Sequence, residues 1–206
     1  MSNAIETATS LRAVDASDNT VLDLDLIQGL WTVEQYLAFS DFSSRMIEFT
    51  DGQIELLPMP TEKHQAMLEW LFFILRDIVN ARGGKARFAP LRLQVRPGKY
   101  REPDILVLLD AADPRRQNRF WFGADLVVEI VSPDNPARDI TVKRADYAEI
   151  GIAEYWIVNP QDQTITVLAL DQAHYREHGV FVSGQVATSL LLADFAVAVD
   201  AVMTAN

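Results

Sequence analysis

Two carboxylates occupy positions where the hydrophobic pattern calls for apolar side chains. Glu129 interrupts an otherwise apolar run at residues 126–131, and Asp104 opens a second apolar run at 104–109. An ionised carboxylate in a buried position is costly unless a cation or a hydrogen-bond donor compensates it. Both acids are therefore candidates for a functional site rather than ordinary strand residues.

The two apolar runs predict neighbouring strands, each covered on both faces, at the centre of a sheet. If they pair antiparallel through residues 110–125, the start of one lies beside the end of the other. This pairing brings Asp104 close to Glu129. Two carboxylates at the ends of adjacent strands form an oxygen-rich cation site that suits Mg²⁺.

Lys143 is a third charged residue that the pattern directs toward the core. In the helix predicted to follow the second run, Ile140, Tyr147 and Ile150 form the inward stripe, and Lys143 falls inside it. Asp139, near the start of this helix, is interpreted as a charge favourable to the helix dipole. Each charged residue alone has an ordinary explanation, but their convergence favours a site.

Weaker candidates lie on neighbouring elements. His64, near the start of a long helix, is able to point into the same cleft, although a helix-end histidine with a satisfied hydrogen bond is the commoner case. Glu48 and Glu55 lie on a predicted hairpin, where either could add a carboxylate. Two further histidines, at 174 and 178, have zinc-like spacing, but no third ligand accompanies them.

Periodicity and turn signals predict the elements that position these residues. The predicted helices are 31–39 with Thr32 as N-cap, 61–81 with Thr61 as N-cap, 136–150, and a short one near 194–202. The predicted strands are 45–57 as a hairpin about Asp51-Gly52, 87–95, 104–109, 126–131, 155–158, 164–170, 175 with 180–182, and 186–192. This order predicts one α/β domain over residues 21–206, preceded by a mobile tail over residues 1–20.

Composition and charge restrict the class of protein. The chain has 206 residues, of which 49% are hydrophobic, and it lacks Cys, which excludes disulfides, thiolate metal sites and a cysteine nucleophile. It has no apolar run long enough for a membrane span and no signal-peptide pattern, so we expect a cytoplasmic protein. The net charge is −11, yet residues 82–144 hold 13 of the 18 Lys and Arg residues against 8 acids. This asymmetry suits a surface that faces an anion, and equally a solvated basic segment.

Four stretches of the sequence are characteristic in their order and length. They are IEFTDGQIELLPMPTEKHQ (47–65), REPDILVL (101–108), DLVVEIVSPDNPARDITVKRADYAEIGIAEYWIVNP (125–160) and ATSLLLADFAVAVDAV (187–202). Over about residues 28–203 the chain resembles the Uma2 family of restriction endonucleases, a branch of the PD-(D/E)XK nuclease superfamily. The resemblance implies a restriction-endonuclease-like α/β core, in which helices flank a mixed central sheet and further antiparallel strands are added.

The resemblance also implies roles for particular residues. Pro103-Asp104 matches the first acidic motif of the superfamily and Glu129 matches the second. The superfamily places a Lys two residues after the Glu, where this chain has Val131. The branch that the chain resembles carries the Lys on the following helix, where this chain has Lys143.

A Mg²⁺- or Mn²⁺-dependent endonuclease acting on DNA is the function that the resemblance implies. Asp104 and Glu129 would hold the metal with the backbone carbonyl of Ile130, and Lys143 would orient or activate the attacking water. The accessory candidates are His64 and Glu48. The residues expected to track the phosphate backbone are Arg87, Arg92, Arg96, Lys99 and Arg101. We expect a homodimer, because two sites related by a two-fold axis cut both strands of a duplex most simply.

Two alternatives remain open at the level of sequence. A non-catalytic binding or structural protein that keeps the nuclease fold is favoured by the negative net charge and by Val131 in the usual Lys position. A nuclease that acts on RNA or on branched DNA differs only in its substrate. Metal binding at the carboxylates distinguishes a DNA nuclease from a non-catalytic protein. A panel of substrates distinguishes it from a nuclease that acts on RNA or on branched DNA.

Overall fold

The computed structural model describes residues 12–14, 21–133 and 136–206 as a mixed α/β fold. The strands in chain order are β1 (Arg12–Val14), β2 (Val21–Asp23), β3 (Ile47–Thr50), β4 (Gln53–Leu56), β5 (Lys85–Phe88), β6 (Leu93–Arg96), β7 (Lys99–Arg101), β8 (Ile105–Leu108), β9 (Leu126–Ile130), β10 (Glu154–Asn159), β11 (Thr164–Asp171), β12 (His174–Phe181), β13 (Val186–Thr188) and β14 (Ala196–Ala198). The α-helices are α1 (Val33–Phe42), α2 (Glu62–Ala81), α3 (Lys143–Glu149) and α4 (Val199–Met203). A 3₁₀ turn covers Leu24–Ile27, and a π-helical turn, Arg138–Val142, leads into α3.

A six-stranded mixed sheet forms the centre of the fold, in the order β12-β11-β10-β9-β8-β5. Strands β8 and β9 pair antiparallel, as predicted, with Ile105 opposite Val128. Strand β10 runs parallel to β9, so the chain between them crosses over through the helix that carries Lys143. The predicted α/β class with a mixed central sheet is thus confirmed.

Both faces of this sheet are covered, which explains why β8 and β9 are buried along their whole length. Helix α2 packs Met67, Leu71 and Leu75 against one face. Helix α3 packs Tyr147 against the other face, where it meets Tyr155 at a ring-centroid distance of 5.0 Å. Glu129 lies on this second face, together with Val127 and Val131.

A second sheet, of four strands in the order β4-β3-β7-β6, lies beside the first. Strand β3 pairs with β4 around Asp51-Gly52, as the hairpin signal predicted. Strand β7 was not predicted, and it joins this hairpin to the start of β8. Thr32 and Thr61 cap α1 and α2 as expected.

Several predicted boundaries are wrong for local reasons. The single strand predicted at 87–95 is two strands, β5 and β6, which belong to different sheets. Pro90 lies between them and ends the pairing, because it has no amide hydrogen to donate. The helix predicted near 194–202 begins only at Val199, because residues 196–198 pair with β13. Residues 174–181 form one continuous strand rather than two pieces.

The N-terminal tail predicted over residues 1–20 falls mostly outside the described residues. Within it, β1 pairs antiparallel with β2. None of the helices that the structure describes is long and apolar enough to cross a membrane.

Candidate active site

The antiparallel pairing of β8 and β9 brings Asp104 and Glu129 to one cavity of about 730 Å³. The backbone N–H of Ile130 donates a hydrogen bond of 2.7 Å to Oδ2 of Asp104, which fixes this carboxylate beside the end of β9. Asp104 is 6% exposed and Glu129 is 2% exposed. The proximity expected from the strand pattern is therefore present.

Lys143 enters the same cavity from the helix that follows β9. Its ammonium group is 2.8 Å from Oε2 of Glu129 and 2.9 Å from Oδ1 of Asp139, and Oε1 of Glu48 lies at 3.8 Å. At 4% exposure, Lys143 faces inward as predicted. Ile140 does not, since it is 40% exposed. The π-helical turn Arg138–Val142 changes the helical register, and Asp139 takes the inward position instead.

The electrostatics of this ion cluster keep Lys143 charged. Burial lowers the pKa of Lys143, but Glu129, Glu48 and Asp139 together raise it more, so its pKa lies above the ordinary lysine value. Burial also raises the pKa of Glu129 to about 8, with further raising contributions from Asp104 and Asp139, although Lys143 opposes this shift. The phenol of Tyr147 donates a hydrogen bond to the other oxygen of Glu129.

Glu48 extends the cluster from the second sheet. It is completely buried on β3, where Arg138 pairs with its Oε2 and Arg101 lies 3.5 Å from the same oxygen. Burial raises the pKa of Glu48, but the three cations Lys143, Arg138 and Arg101 lower it by a larger amount. The pKa therefore lies below its usual value, and the carboxylate is held ionised. Arg138 also pairs with Glu55 at 2.9 Å, which ties the helix segment to the hairpin.

His64 lies in the cavity, beside Asp104, with 3.3 Å between Nε2 and Oδ2. Burial lowers the pKa of His64, but the hydrogen bond and charge of Asp104 raise it more, so its pKa lies above the ordinary value. The other ring nitrogen, Nδ1, is buried without a hydrogen-bond partner among the described residues. The histidine that sequence ranked as a weaker candidate is thus part of the site.

Most of the basic residues expected to track a phosphate backbone are engaged in ion pairs. Arg92 pairs with Asp41, Arg96 with Asp51, and Lys99 and Arg101 both pair with Asp146. Arg101 is buried, and its pairs anchor α3 to β7. Arg87 is exposed and has no acidic partner in the described part of the chain. The assignment of these five residues to nucleic-acid binding stays a prediction.

Sequence reasoning did not assign Arg138, Tyr147 or Glu102, which also lines the cavity, to the site, and it gave Asp139 only a helix-dipole role. Asp139 and Tyr147 stand four residues before and after Lys143, and side chains at this spacing lie on one helix face. That signal was available in the sequence. No local pattern predicts that Arg138 meets Glu48, ninety residues earlier in the chain.

The donor set in this cavity suits a hard divalent cation. The contacts of Asp104 with Ile130 and His64 use Oδ2 and leave Oδ1 without a hydrogen bond in the described part of the chain. No three His, Cys, Asp or Glu side chains are gathered as a metal site within the described ranges. Mg²⁺ is commonly held by one or two carboxylates and completes its shell with water and substrate phosphate. Asp104 and Glu129 fit that pattern.

Comparisons with known proteins identify the family and the fold of the chain. The family model described as "Putative restriction endonuclease", Uma2, matches residues 33–200. A crystal structure from Anabaena variabilis, described as "a putative nuclease belonging to DUF820", has the same fold with a TM-score of 0.70 at 22% identity; the match covers 84% of this chain and 98% of that one. No curated protein matches the sequence. Since the family model covers most of the chain, the protein belongs to the Uma2 family of restriction-endonuclease-like proteins.

Proposed function

We propose that the protein is a Mg²⁺- or Mn²⁺-dependent endonuclease that hydrolyses phosphodiester bonds in DNA. The observation that carries this proposal is the convergence of Asp104, Glu129 and Lys143 in one cavity, although each comes from a different element. Asp104 and Glu129 hold the metal, with the backbone carbonyl of Ile130 as a further ligand. When bound, the metal polarises the phosphate and lowers the pKa of a coordinated water.

The charged state of Lys143 determines what it contributes. Because the surrounding carboxylates raise its pKa, the side chain is an ammonium at neutral pH and is not a general base. It instead donates hydrogen bonds to the attacking water or to a phosphate oxygen, where it stabilises developing negative charge. Glu129 and Asp139 hold the ammonium in place from two sides.

His64 and Glu48 have accessory roles in this proposal. Nε2 of His64 lies 3.3 Å from Oδ2 of Asp104, and this contact limits the rotation of the carboxylate. Glu48 anchors Arg138, which also contacts the hairpin, and it contributes to the field that keeps Lys143 protonated. Both are positioning residues, and we expect their loss to reduce turnover less than the loss of Asp104 does.

The proposal is tested by cleavage of two circular substrates, a supercoiled plasmid and a circular single-stranded DNA, with Mg²⁺ or Mn²⁺. We expect Asp104→Asn to reduce cleavage by about 100-fold or more, since removing a group that stabilises transition-state charge costs about 10²–10³ in rate. Asn still accepts the hydrogen bond of Ile130, so the fold is kept. Asp110→Asn, an exposed position after β8, is the matched control.

If Asp104→Asn cleaves DNA at the rate of the wild type, the proposed site is rejected. Absence of cleavage of both substrates with either metal would reject the proposed activity.

A second candidate is a non-catalytic protein that keeps the nuclease fold. The observation that favours it is that Lys143 already pairs with both Glu129 and Asp139 at close range, so these side chains form an internal ion network. Titration calorimetry with Mn²⁺ separates the two candidates. A nuclease binds the metal through Asp104, and Asp104→Asn weakens that binding, whereas a purely structural network binds no metal in either protein.

We also propose that the protein acts as a homodimer. The edge strand β12 supports this, because Val180 and, just beyond it, Val182 and Val186 are about half exposed beside it. Unpaired sheet edges with apolar side chains favour pairing with another chain.

A further inference from the structure

Among the described residues of the cavity lining, two cations are outside the ion-pair network. Arg45 and Lys63 line it together with the carboxylates. Arg45 contacts the backbone carbonyl of Leu57 at 3.5 Å, and Lys63 donates to the carbonyl of Ala205 at 3.0 Å. Neither pairs with an acid among the described residues, whereas Arg138 and Lys143 in the same cavity are fully paired. Their charges are available to an anionic ligand.

The cavity wall between these two cations is apolar and stiff. Leu57 is followed by Pro58, Met59 and Pro60, all of which line the cavity. Met59 is 67% exposed, which is unusual for a large apolar side chain. Proline fixes the backbone φ angle, so the segment presents Met59 with little freedom. Minor-groove proteins insert Met and Pro side chains between base steps, which shows that such side chains can lie against the face of a base.

The carboxylates lie deep in this cavity. Asp104 and Glu129 are almost completely buried, while the cavity volume of about 730 Å³ falls in the range that encloses a small ligand, about 300–1,000 Å³. An intact duplex keeps its bases paired and stacked, so it offers the apolar wall no free base face. A strand whose bases are unpaired can enter, and it can offer a base to the apolar wall.

We propose that the cavity binds a nucleic-acid strand with unpaired bases, with Arg45 and Lys63 on the phosphates that flank the scissile one and with the 58–60 wall against a base. This inference rests on the proposed nuclease function, and it specifies the substrate class. It also places the nucleic-acid contact on the cavity rim rather than on the basic stretch that sequence favoured.

The test is fluorescence anisotropy with a labelled oligodeoxynucleotide of about 12 nucleotides. It is measured as a single strand, annealed to its complement, and as an RNA of the same sequence. Binding is measured in chelator and in Ca²⁺, and a denaturing gel confirms that the probe stays intact. We expect the wild type to bind the single strand about tenfold more tightly than the duplex. The DNA and RNA arms identify the sugar that the site prefers.

Variants separate phosphate contacts from base contacts. Arg45→Ala and Lys63→Ala should each weaken single-strand binding and lower the salt slope, log Kd against log salt, by about 0.7, the value for one phosphate contact on a single strand. Met59→Ala should weaken binding without changing the slope, and Met59→Leu should restore it. Arg116→Ala, at an exposed arginine outside the cavity that contacts a backbone carbonyl as Arg45 does, is the matched control and should bind as the wild type does.

Equal or tighter binding of the duplex would overturn the inference, and so would wild-type affinity in both Arg45→Ala and Lys63→Ala. If metal-dependent cleavage occurs while these variants bind normally, the nuclease function stands and the strand assignment fails. If the single strand binds as expected but no metal supports cleavage, the binding site stands and the nuclease function fails.

Discussion

Lys143 is the residue on which the chemistry of the site depends most. Its ammonium lies within 3 Å of two carboxylates, so it is a counter-ion for buried acids and also a hydrogen-bond donor beside Glu129, one of the two carboxylates proposed to hold the metal. The two roles make different predictions for the same substitution. The free energy of unfolding measures the role of Lys143 as a counter-ion, and the rate of cleavage measures its role as a hydrogen-bond donor.

We expect Lys143→Ala to lower turnover by about 10²–10³ while Mn²⁺ binding persists, because both anionic ligands remain. Without metal, the variant should be less stable by about 3–5 kcal/mol, since buried acids lose their partner. Lys143→Arg should not restore activity, because a planar guanidinium does not replace a compact ammonium. Cleavage rates, calorimetry and thermal melts with and without Mn²⁺ measure these effects. Full activity in the alanine variant would remove Lys143 from the mechanism.

The pKa of Glu129 predicts how the stability of the metal-free protein depends on pH. Burial raises this pKa from 4.5 to about 8 on folding, so the folded state holds the proton more tightly than the unfolded chain does. The corresponding stability is complete below the unfolded pKa and is lost as pH rises through about 8. In chelator, the Tm should therefore fall between about pH 5 and pH 9.

Glu129→Gln is the control for this pH effect, because the amide has the same shape and does not titrate. The fall in Tm should be smaller in this variant. It should not vanish, since the pKa of Glu102 is also raised, to about 7, chiefly by burial. A Tm that is constant or rises over this range in the wild type would contradict the assignment.

At the scale of elements, the site is assembled from five segments of the chain. Asp104 immediately precedes β8, β9 supplies Glu129, the helix after β9 supplies Lys143, β3 supplies Glu48, and the first turn of α2 supplies His64. Arg101 on β7 clamps α3 through paired bonds of 2.7 and 2.8 Å to Asp146. The basic residues near the site therefore serve first to lock elements together.

Glu154, a buried acid that has no cationic partner in the described part of the chain, fixes the opposite end of the central sheet. Glu154 on β10 accepts hydrogen bonds from Trp156 and from the hydroxyl of Ser189, and its other oxygen accepts from the backbone N–H groups of Leu190 and Leu191. It thereby closes the turn between β13 and β14 onto the sheet. This turn replaces the end of the strand predicted at 186–192.

Glu154→Ala should lower the free energy of unfolding by about 1–3 kcal/mol or more, because buried donors lose their acceptor. Cleavage of DNA at low temperature should be unchanged, since Glu154 pairs with Leu126 at the far end of β9 from Glu129. Urea denaturation measures the loss, with Glu177→Ala, an exposed glutamate on β12, as the control. A loss no larger than that of the control would show that the turn does not depend on Glu154.

At the scale of the whole molecule, the net charge of −11 disfavours the binding of nucleic acid, except at surfaces where basic side chains are not paired with acids. Most of the basic stretch is neutralised in ion pairs, which leaves the cavity rim as a favourable place for a phosphate. We therefore expect binding to be weak and strongly salt-dependent.

The proposed dimer is a second property of the whole molecule. Light scattering at micromolar concentrations should give twice the chain mass of 23.1 kDa. Val180→Lys should shift the protein to the monomer, since a charge on an edge strand opposes pairing. Phe42→Lys, at an exposed position on α1, is the control and should leave the dimer intact. A wild-type monomer throughout this range would exclude the dimer.

Local patterns in the sequence were sufficient for the backbone of the site. Strand alternation and helical periodicity predicted the paired strands, the juxtaposition of Asp104 and Glu129, and the inward position of Lys143. These features depend on residues a few positions apart or on two adjacent strands, so their physics can be read from sequence. The same reasoning misplaced Ile140, because a π-helical turn changes the register that an α-helical period assumes.

Only the tertiary structure decided which acid meets which base. Glu48 contacts Arg138 and Arg101, and Arg101 contacts Asp146, across 45 to 90 positions of chain. The sequence does not distinguish a charged residue that faces water from one that faces a phosphate or a buried carboxylate. The reason is that the partner of a charge does not follow from a periodic pattern along the chain. The packing of the second sheet against the first makes that choice. It turns a basic segment into structural ion pairs and leaves Arg45 and Lys63 free at the cavity.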